Sequence, residues 1–189
     1  VIDVSDTATE GGAVAAGTVA VTDPDSTLTY ALTGAAPAGL TFNGDGTYSF
    51  DPTDPAYDSL AAGATQDIVA EFQVNGDPDG PYTADLTITI TGTNDAPTVI
   101  DVSDTATEGD VTPVTGTVAV TDPDSTLTYS IPGATPAGLT FNADGSYSFD
   151  ATDPAYDSLA VGATQDIVAT FEVNGDPDGP YTADLTITI

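Results

Sequence analysis

The side chains of this sequence that could do chemistry are almost all oxygen donors, and they recur in acidic clusters. The chain carries 30 Asp and Glu residues and no Lys, Arg or His, which gives it a net charge of -30. A clustered carboxylate in such a chain must be neutralised by a metal ion, a backbone N–H group, water or a proton. The clusters are Glu10 with its repeat Glu108, Asp23-Pro24-Asp25 with Asp122-Pro123-Asp124, Asp77-Pro78-Asp79 with Asp176-Pro177-Asp178, and the pair Asn94-Asp95.

Calcium is the metal that best matches these clusters, because it takes about six to eight hard oxygen ligands from carboxylates, amides and backbone carbonyls. The two carboxylates of a D-x-D motif at the end of a strand can point to one ion, since residues i and i+2 share a face. The alternative is that the clusters are solvated turns, because Asp-Pro and Asp-Gly are ordinary turn formers. No EF-hand loop is present. The number of clusters and the lack of any cationic side chain favour calcium.

The same composition excludes several functions. The charge argues against binding to nucleic acids and to anionic membrane surfaces, which need basic patches, and it opposes self-association. The chain has no His, Lys, Arg or Cys, so it lacks the usual nucleophile–base pairs and phosphate clamps. A carboxylate pair could hydrolyse a glycoside, but no Trp is present to line a sugar subsite. No apolar run approaches the length of a membrane span. We therefore predict a monomer that is neither an enzyme nor inserted in a membrane.

The strongest organising signal is a long internal repeat. Two stretches recur unchanged, residues 1–11 as 99–109 and residues 17–25 as 116–124. A repeat of this length is a domain in its own right and not a solenoid unit. We predict two domains, residues 1–92 and 99–189, joined by a linker at 93–98. Because the chain begins and ends inside the repeating pattern, we expect it to be a piece of a longer array.

Within each repeat the polarity alternates with a period of two, which is typical of β-strands with one buried face. After the opening strand, the strand-like stretches of the first repeat are 18–22, 28–32, 40–42, 48–50, 68–74 and 82–90. The stretch Asn43-Gly44-Asp45-Gly46 predicts a hairpin turn, and residues 56–65 are the one stretch that could form a helical turn or a crossover loop. The pattern predicts an all-β fold of two tandem Ig-like Greek-key β-sandwiches with about seven strands each.

The sequence also resembles a known class of tandem repeats. The stretch Gly92-Thr93-Asn94-Asp95-Ala96-Pro97 is similar to the G-T-N-D-A-P signature that closes VCBS-type repeats in large bacterial RTX adhesins. Further matches are Tyr57-x-x-Leu60-x-x-Gly63, Phe72-x-Val74-Asn75-Gly76-Asp77, and the Thr-Ile-Thr-Ile run before the linker. The resemblance covers essentially the whole chain, twice. It implies the extender region of an extracellular adhesin at the bacterial cell surface, with a role in biofilms.

The same residues resemble the cadherins. The stretch Asn94-Asp95-Ala96-Pro97 is similar to the cadherin linker D-x-N-D-N-A-P, Asp122-Pro123-Asp124 is similar to its D-x-D motif, and Glu10 to its early Glu. This resemblance implies cadherin-like sandwiches with Ca2+ bound at the joint between repeats. The ligands that it implies are Glu10 of the first repeat, Asn94 and Asp95 of the linker, Asp122 and Asp124 of the second repeat, and a further ligand at Asp176 or Asn174.

The chain departs from the cadherin pattern in three places. Gly92 stands where cadherins carry a linker Asp, and Ala96 stands where they carry an Asn. The cadherin D-R-E motif has no clean match, and the substitutes are Asp51 or Asp54, ahead of Asp58. We therefore expect fewer ions at this joint than at a cadherin joint.

The leading interpretation of the whole sequence is mechanical. The repeats are structural spacers of a secreted bacterial adhesin, their partners are neighbouring repeats of the same chain, and Ca2+ at the linker makes the joint rigid. The alternative is a ligand-binding, glycan-binding or cell-adhesion module. Near identity of the two repeats favours spacing, because recognition modules tend to carry a distinctive loop.

Overall fold

The computed structural model describes all residues from 1 to 189, and they form two compact units, Val1–Asn94 and Asp95–Ile189. The strands of the first unit are β1 (Val4–Thr9), β2 (Ala15–Thr18), β3 (Thr29–Leu32), β4 (Leu40–Phe42), β5 (Thr47–Phe50), β6 (Thr65–Asn75) and β7 (Tyr82–Thr91). The strands of the second unit are β8 (Val102–Thr105), β9 (Val114–Thr117), β10 (Thr128–Ser130), β11 (Leu139–Phe141), β12 (Ser146–Phe149), β13 (Asp166–Asn174) and β14 (Tyr181–Thr188). The structure contains no helix able to span a membrane.

Each unit consists of one four-stranded and one three-stranded sheet. In the first unit their orders are β1-β7-β6-β3 and β2-β5-β4, and in the second unit they are β8-β14-β13-β10 and β9-β12-β11. The first strand of each unit pairs in parallel with the last one, whereas the other pairs are antiparallel. This order is that of a Greek-key, Ig-like sandwich. The predicted all-β fold of two units with seven strands each is confirmed.

The core of the first unit is formed by the inward positions of both sheets. Burial alternates along β6 and β7, because successive side chains of a strand point to opposite faces. Phe50 of β5 and Phe72 of β6 are wholly buried. The Phe72 ring centroid lies 5.8 Å from that of Phe42, and Phe50 lies 5.4 Å from Tyr57. The second unit repeats these pairs as Phe141 with Phe171 and Phe149 with Tyr156. Each unit therefore has a core of its own.

The second strand lies earlier in the sequence than the strand that we predicted at residues 18–22. The second strand, β2, ends at Thr18, although Val19 beyond it is buried in the core. The Val19 N–H donates to the Gly46 carbonyl over 2.8 Å, and the Val21 N–H donates to the Tyr30 hydroxyl over 2.9 Å. Residues 19–21 thus keep the alternating burial of a strand, but they bond to a turn and a side chain and not to a neighbouring strand.

The predicted hairpin between β4 and β5 is confirmed, since these strands pair in antiparallel register. The turn closes with the Gly46 N–H donating to the Asn43 carbonyl over 3.0 Å. Gly46 has a φ of 83°, in the left-handed region, whereas Gly44 does not have a positive φ. This explains why the second repeat carries Ala143 in place of Gly44. Residues 56–64 form successive turns and no helix, and Thr65 begins β6.

A hydrogen bond between a tyrosine and an aspartate connects the two sheets of each unit. The Tyr48 hydroxyl on β5 donates to Asp6 Oδ2 on β1 over 2.8 Å, and Tyr147 donates to Asp104 over 3.1 Å. Gly17 lies against the tyrosine ring, where a Cβ would come within 2.5 Å of the Tyr48 hydroxyl. Burial first, and then the hydrogen bond to the aspartate, raise the pKa of Tyr48 and of Tyr147 to about 12.

These two tyrosines predict that both units lose stability at alkaline pH. The pKa of each is about 12 in the folded chain, above its ordinary value of 10.0. Their stabilising contribution is therefore fully present below pH 10 and is lost as the pH rises through 12, because only the unfolded chain releases these protons in that window. Urea unfolding measured from pH 8 to 12 should show this decline. It should be smaller in the variant Tyr48→Phe/Tyr147→Phe, and an equal decline in that variant would assign the pH dependence to other groups.

Candidate functional site

Glu10 lies at the end of the opening strand, as the sequence predicts. Its side chain is only 5% exposed. Its backbone N–H donates to the Thr91 carbonyl over 2.9 Å, and its Oε2 accepts the Thr93 N–H over 2.8 Å. The carboxylate is therefore fixed on the first residues after β7. The corresponding Glu108 of the second unit is exposed.

Gly92 directly follows β7 and is closely packed against the turns before β6. Its N–H donates to the Ala64 carbonyl over 2.8 Å, and its carbonyl accepts the Gly63 N–H over 3.0 Å. A Cβ at this position would lie 2.5 Å from the Ala61 carbonyl oxygen and would also collide with the carbonyl of Leu60. The absence of the Asp that cadherins carry here thus has a steric reason, because no side chain fits.

The loop proposed in place of the D-R-E motif lies beside Glu10 through its backbone, since the Gly11 N–H donates to the Pro52 carbonyl over 3.1 Å. Asp51 is exposed, and its Oδ1 accepts the Thr53 N–H and hydroxyl over 3.0 and 2.7 Å. These bonds hold the pKa of Asp51 below its ordinary value. Asp54 is half-buried and accepts the Ala56 N–H over 3.0 Å. Each carboxylate has one oxygen engaged in closing its own turn.

Asn94 and Asp95, the two linker residues predicted to bind calcium, fall in different units. Asn94 is the last residue of the first unit, and Asp95 is the first residue of the second. Both are half-buried, and Pro97 shortly after them is buried. The position of the linker at 93–98 stays a prediction, as do the roles of its two oxygen-bearing side chains.

The D-x-D motif of the second unit brings two carboxyl groups together. Asp122 Oδ1 accepts the backbone N–H groups of Asp124 and Ser125 over 3.1 and 2.8 Å. Burial, followed by the neighbouring Asp124 carboxyl group, raises the pKa of Asp122. The Oδ2 atoms of both aspartates are buried and have no hydrogen-bond partner. The carboxyl groups converge through a turn and not through the pleat of a strand, which corrects the reason given by the sequence pattern.

The Asp176 loop lies near this pair in the second unit. Asp176 is only 7% exposed, and its Oδ1 accepts the Asp178 N–H over 2.7 Å and the Tyr181 hydroxyl over 3.3 Å. Burial raises the pKa of Tyr181, and the charges of Asp176, Asp178 and Asp122 raise it further. The Asp122 loop therefore lies near enough to the Asp176 loop for the charge of Asp122 to act on Tyr181. Asn174, the alternative to Asp176, donates its side-chain N–H to the Ser130 hydroxyl over 3.3 Å.

The first unit contains the corresponding acidic residues Asp23, Asp25 and Asp77, but Asp25 is exposed there. The hydrogen bond from Asp25 lowers the pKa of Asp23, while the same contact and the charge of Asp23 raise the pKa of Asp25. Burial raises the pKa of Tyr82, and the neighbouring charges of Asp77, Asp79 and Asp23 add to this effect. The proximity of these two loops is therefore a property of the repeat itself.

No three acidic side chains of the chain form a complete metal-binding group in the structure. The structure brings Asp122 and Asp124 together and bonds Asp176 to Tyr181 in the second unit, and it bonds Glu10 to the Thr93 N–H in the first. Sequence reasoning missed two features, the close packing of the backbone around Gly92 and the tyrosine beside the acidic loops. A glycine directly after a Thr-Ile run is a signal of close backbone approach, so the first of these could have been found.

Comparisons with known proteins concern the fold. No family model matches the sequence, and no curated protein matches it either. Among solved structures, the chain is similar to mouse cadherin-23 repeats EC22-24, at 15% identity and a TM-score of 0.48, over 97% of this chain and 62% of that one. It is also similar to chicken VE-cadherin EC1-2, at 14% identity and a TM-score of 0.44, over 98% of this chain and 97% of that one. A third similar structure is Drosophila N-cadherin EC1-4, at 17% identity and a TM-score of 0.42, over 98% of this chain and 49% of that one. The chain thus spans less than two thirds of the first and third of these structures. At sequence identities this low, similarity to a solved structure gives no information about function.

Proposed function

We propose that the two units are structural spacer repeats of an extracellular bacterial adhesin and that Ca2+ bound at the linker makes their joint rigid. The observation that carries this proposal is the pair of buried Oδ2 atoms of Asp122 and Asp124, which have no hydrogen-bond partner. In a chain without any Lys, Arg or His, a buried carboxylate oxygen that no backbone N–H group reaches needs a metal ion, a water molecule or a proton. The resemblance of the linker sequence to VCBS-type repeats supports the adhesin context.

The donor chemistry fits calcium and not a transition metal. Zinc sites are built from Cys and His, with carboxylates as additional ligands, and the chain has neither Cys nor His. Hard oxygens alone suit Ca2+, which accepts irregular sets of carboxylate, amide and carbonyl oxygens. The residues that would hold it are Glu10, Asn94, Asp95, Asp122, Asp124 and Asp176, with Asp51 and Asp54 as further candidates. When bound, the ion would supply the positive charge that the sequence lacks.

A spacer role is also supported by how little the repeats differ. Each unit has its own core, the same strand order and the same pair of acidic loops. Function in a spacer depends on the length and stiffness of the array, so each unit needs only to fold and to fix its neighbour. The chain also lacks the side chains of common catalytic pairs. We therefore propose a mechanical protein and not an enzyme.

Calorimetric titration with calcium tests this proposal at a single carboxylate. We expect Asp124→Ala to weaken binding by at least about tenfold, because even outer-shell partners of metal ligands are worth that much. The matched control is Asp25→Ala, the same change at the corresponding position of the first unit, which should leave this affinity unchanged. Asp95→Ala should also weaken binding, and the NMR spectra of all variants should show both sandwiches folded. No heat of binding in the unaltered chain at millimolar calcium, or equal losses in Asp124→Ala and Asp25→Ala, would contradict the proposed site.

A further inference from the structure

The turn between β4 and β5 of the first unit contains an Asn-Gly pair, Asn43-Gly44, whereas the corresponding turn of the second unit contains Asn142-Ala143. All four residues are exposed. The side-chain amide of an asparagine can be attacked by the backbone nitrogen of the next residue, because the two groups are held close together in the same chain. A following glycine favours this attack, since it has no Cβ to shield the nitrogen or to restrict the backbone.

The backbones of the two turns are closed in the same way. In the first, the Asn43 N–H donates to the Thr47 carbonyl over 2.9 Å, and the Gly46 N–H donates to the Asn43 carbonyl over 3.0 Å. In the second, the same bonds join Asn142 to Ser146 and Gly145, at 2.9 and 3.0 Å. The second turn is therefore a matched reference for the first, inside the same molecule.

The backbone nitrogen of Gly44 is accessible, and the turn does not depend on glycine at this position. The Gly44 N–H donates no hydrogen bond, although the Gly44 carbonyl accepts the Tyr30 N–H over 3.0 Å. The φ of Gly44 is not positive, and a Cβ would meet only the Tyr30 carbonyl oxygen, at 3.9 Å. Alanine therefore fits at position 44, as Ala143 does in the second unit.

Two further Asn-Gly pairs, Asn75-Gly76 and Asn174-Gly175, are held more firmly. They lie at the ends of β6 and β13, where each asparagine is half-buried and pairs with a threonine of the neighbouring strand. The backbone around Gly76 is closely packed, since a Cβ there would collide with the Thr27 carbonyl. The attack requires the asparagine to rotate toward the next nitrogen, and an exposed turn opens locally at lower cost than a paired strand.

We infer that Asn43 is a site of spontaneous deamidation in the first unit, whereas Asn142 in the second unit keeps its amide. In this reaction the Gly44 nitrogen loses its proton to solvent and forms a bond to Cγ of Asn43. The bond from Cγ to Nδ2 breaks, and Nδ2 takes up a proton and leaves as ammonia. Water then opens the resulting succinimide at either of its carbonyls, which leaves aspartate or its β-linked isomer isoaspartate at position 43. Water is the one co-reactant.

Both products change the turn. Asn43 Nδ2 donates to the Thr47 hydroxyl over 2.9 Å, and this hydroxyl donates to Asp45 Oδ1 over 2.7 Å. A carboxylate at position 43 has no proton to donate, and it adds a negative charge close to Asp45. Isoaspartate also lengthens the backbone by one carbon, which disturbs the pairing of β4 with β5. Deamidation therefore makes the first unit differ from the second in charge and in the stability of this hairpin.

Mass spectrometry of the folded chain after incubation at mildly alkaline pH tests this inference, because the attacking nitrogen must lose its proton. Cleavage after Phe and Tyr releases residues 43–48 and 142–147 as matched peptides. We expect peptide 43–48 to lose its amide and to yield isoaspartate, while peptide 142–147 keeps its amide over the same period. Asn75 and Asn174 should also react more slowly than Asn43. An unincubated sample measures the amide lost during digestion.

Two exchanged variants are the matched controls. Gly44→Ala should abolish the loss of the amide at Asn43 and leave the turn folded, and Ala143→Gly should introduce the same loss at Asn142. Equal loss from both peptides of the unaltered chain, or an unchanged rate in Gly44→Ala, would overturn the inference, because the reaction would then not depend on the nitrogen of residue 44. Loss at Asn43 only in urea would also overturn it, since the folded turn would then protect the amide.

Discussion

Removal of calcium by a chelator should lower the stability of the two-unit chain and broaden its distance distribution in small-angle X-ray scattering. The proposed ligands are all negative or neutral oxygens in a chain with a net charge of -30, so without an ion their mutual repulsion favours a flexible linker. At a calcium concentration 100 times the dissociation constant, binding to the folded state contributes about 2.7 kcal/mol. Unfolding by urea with and without calcium measures this contribution.

The control for this experiment separates ion binding from general screening. Monovalent salt shortens the range of charge repulsion, so it should stabilise the chain somewhat without reproducing the effect of calcium on scattering. Asp124→Ala should respond to calcium much less than Asp25→Ala, although the two variants have the same net charge. A scattering profile that does not change on chelation would rule out a mechanical role for calcium, even if the ion binds.

Period-two alternation was enough to locate most strands, because burial on one face is imposed on each residue by its position in the pleat. It failed at residues 18–22, where alternation continues into a segment that bonds to Gly46 and Tyr30. The polarity pattern reports which side chains are buried. It does not report which backbone groups find a partner on a neighbouring strand, since this depends on where the partner strand turns.

The acidic residues show the same division between what sequence can and cannot predict. The identity and spacing of Asp122 and Asp124 predicted that their carboxyl groups meet. The turn that joins them is closed by the backbone N–H groups of Asp124 and Ser125, which donate to Asp122 Oδ1, and Asp-Pro as a turn former already allowed such a turn. The proximity of their loop to the loop of Asp176 depends on the strand order, because residues this distant in the chain come together only when the Greek key has closed.

Replacing Phe72 with alanine should destabilise the first unit by about 3–5 kcal/mol, the usual cost of truncating a buried phenylalanine. The side chain is wholly buried and lies against the ring of Phe42, so its removal leaves a cavity between the two sheets. Single domains are commonly stable by about 5–15 kcal/mol, so this loss is a large part of the total. Urea unfolding followed through the NMR amide signals of each unit measures it.

The matched variant Phe171→Ala makes this a test of the spacer role as well as of the core. Phe171 is equally buried, in the core of the second unit, and each substitution should shift the unfolding of its own unit while leaving the other nearly unchanged. Repeats that fold independently can be added to an array without altering the stability of those already present, which is what a spacer requires. If either substitution lowers the midpoints of both units equally, the two cores unfold as one cooperative body. The proposal of independent spacer units would then be wrong.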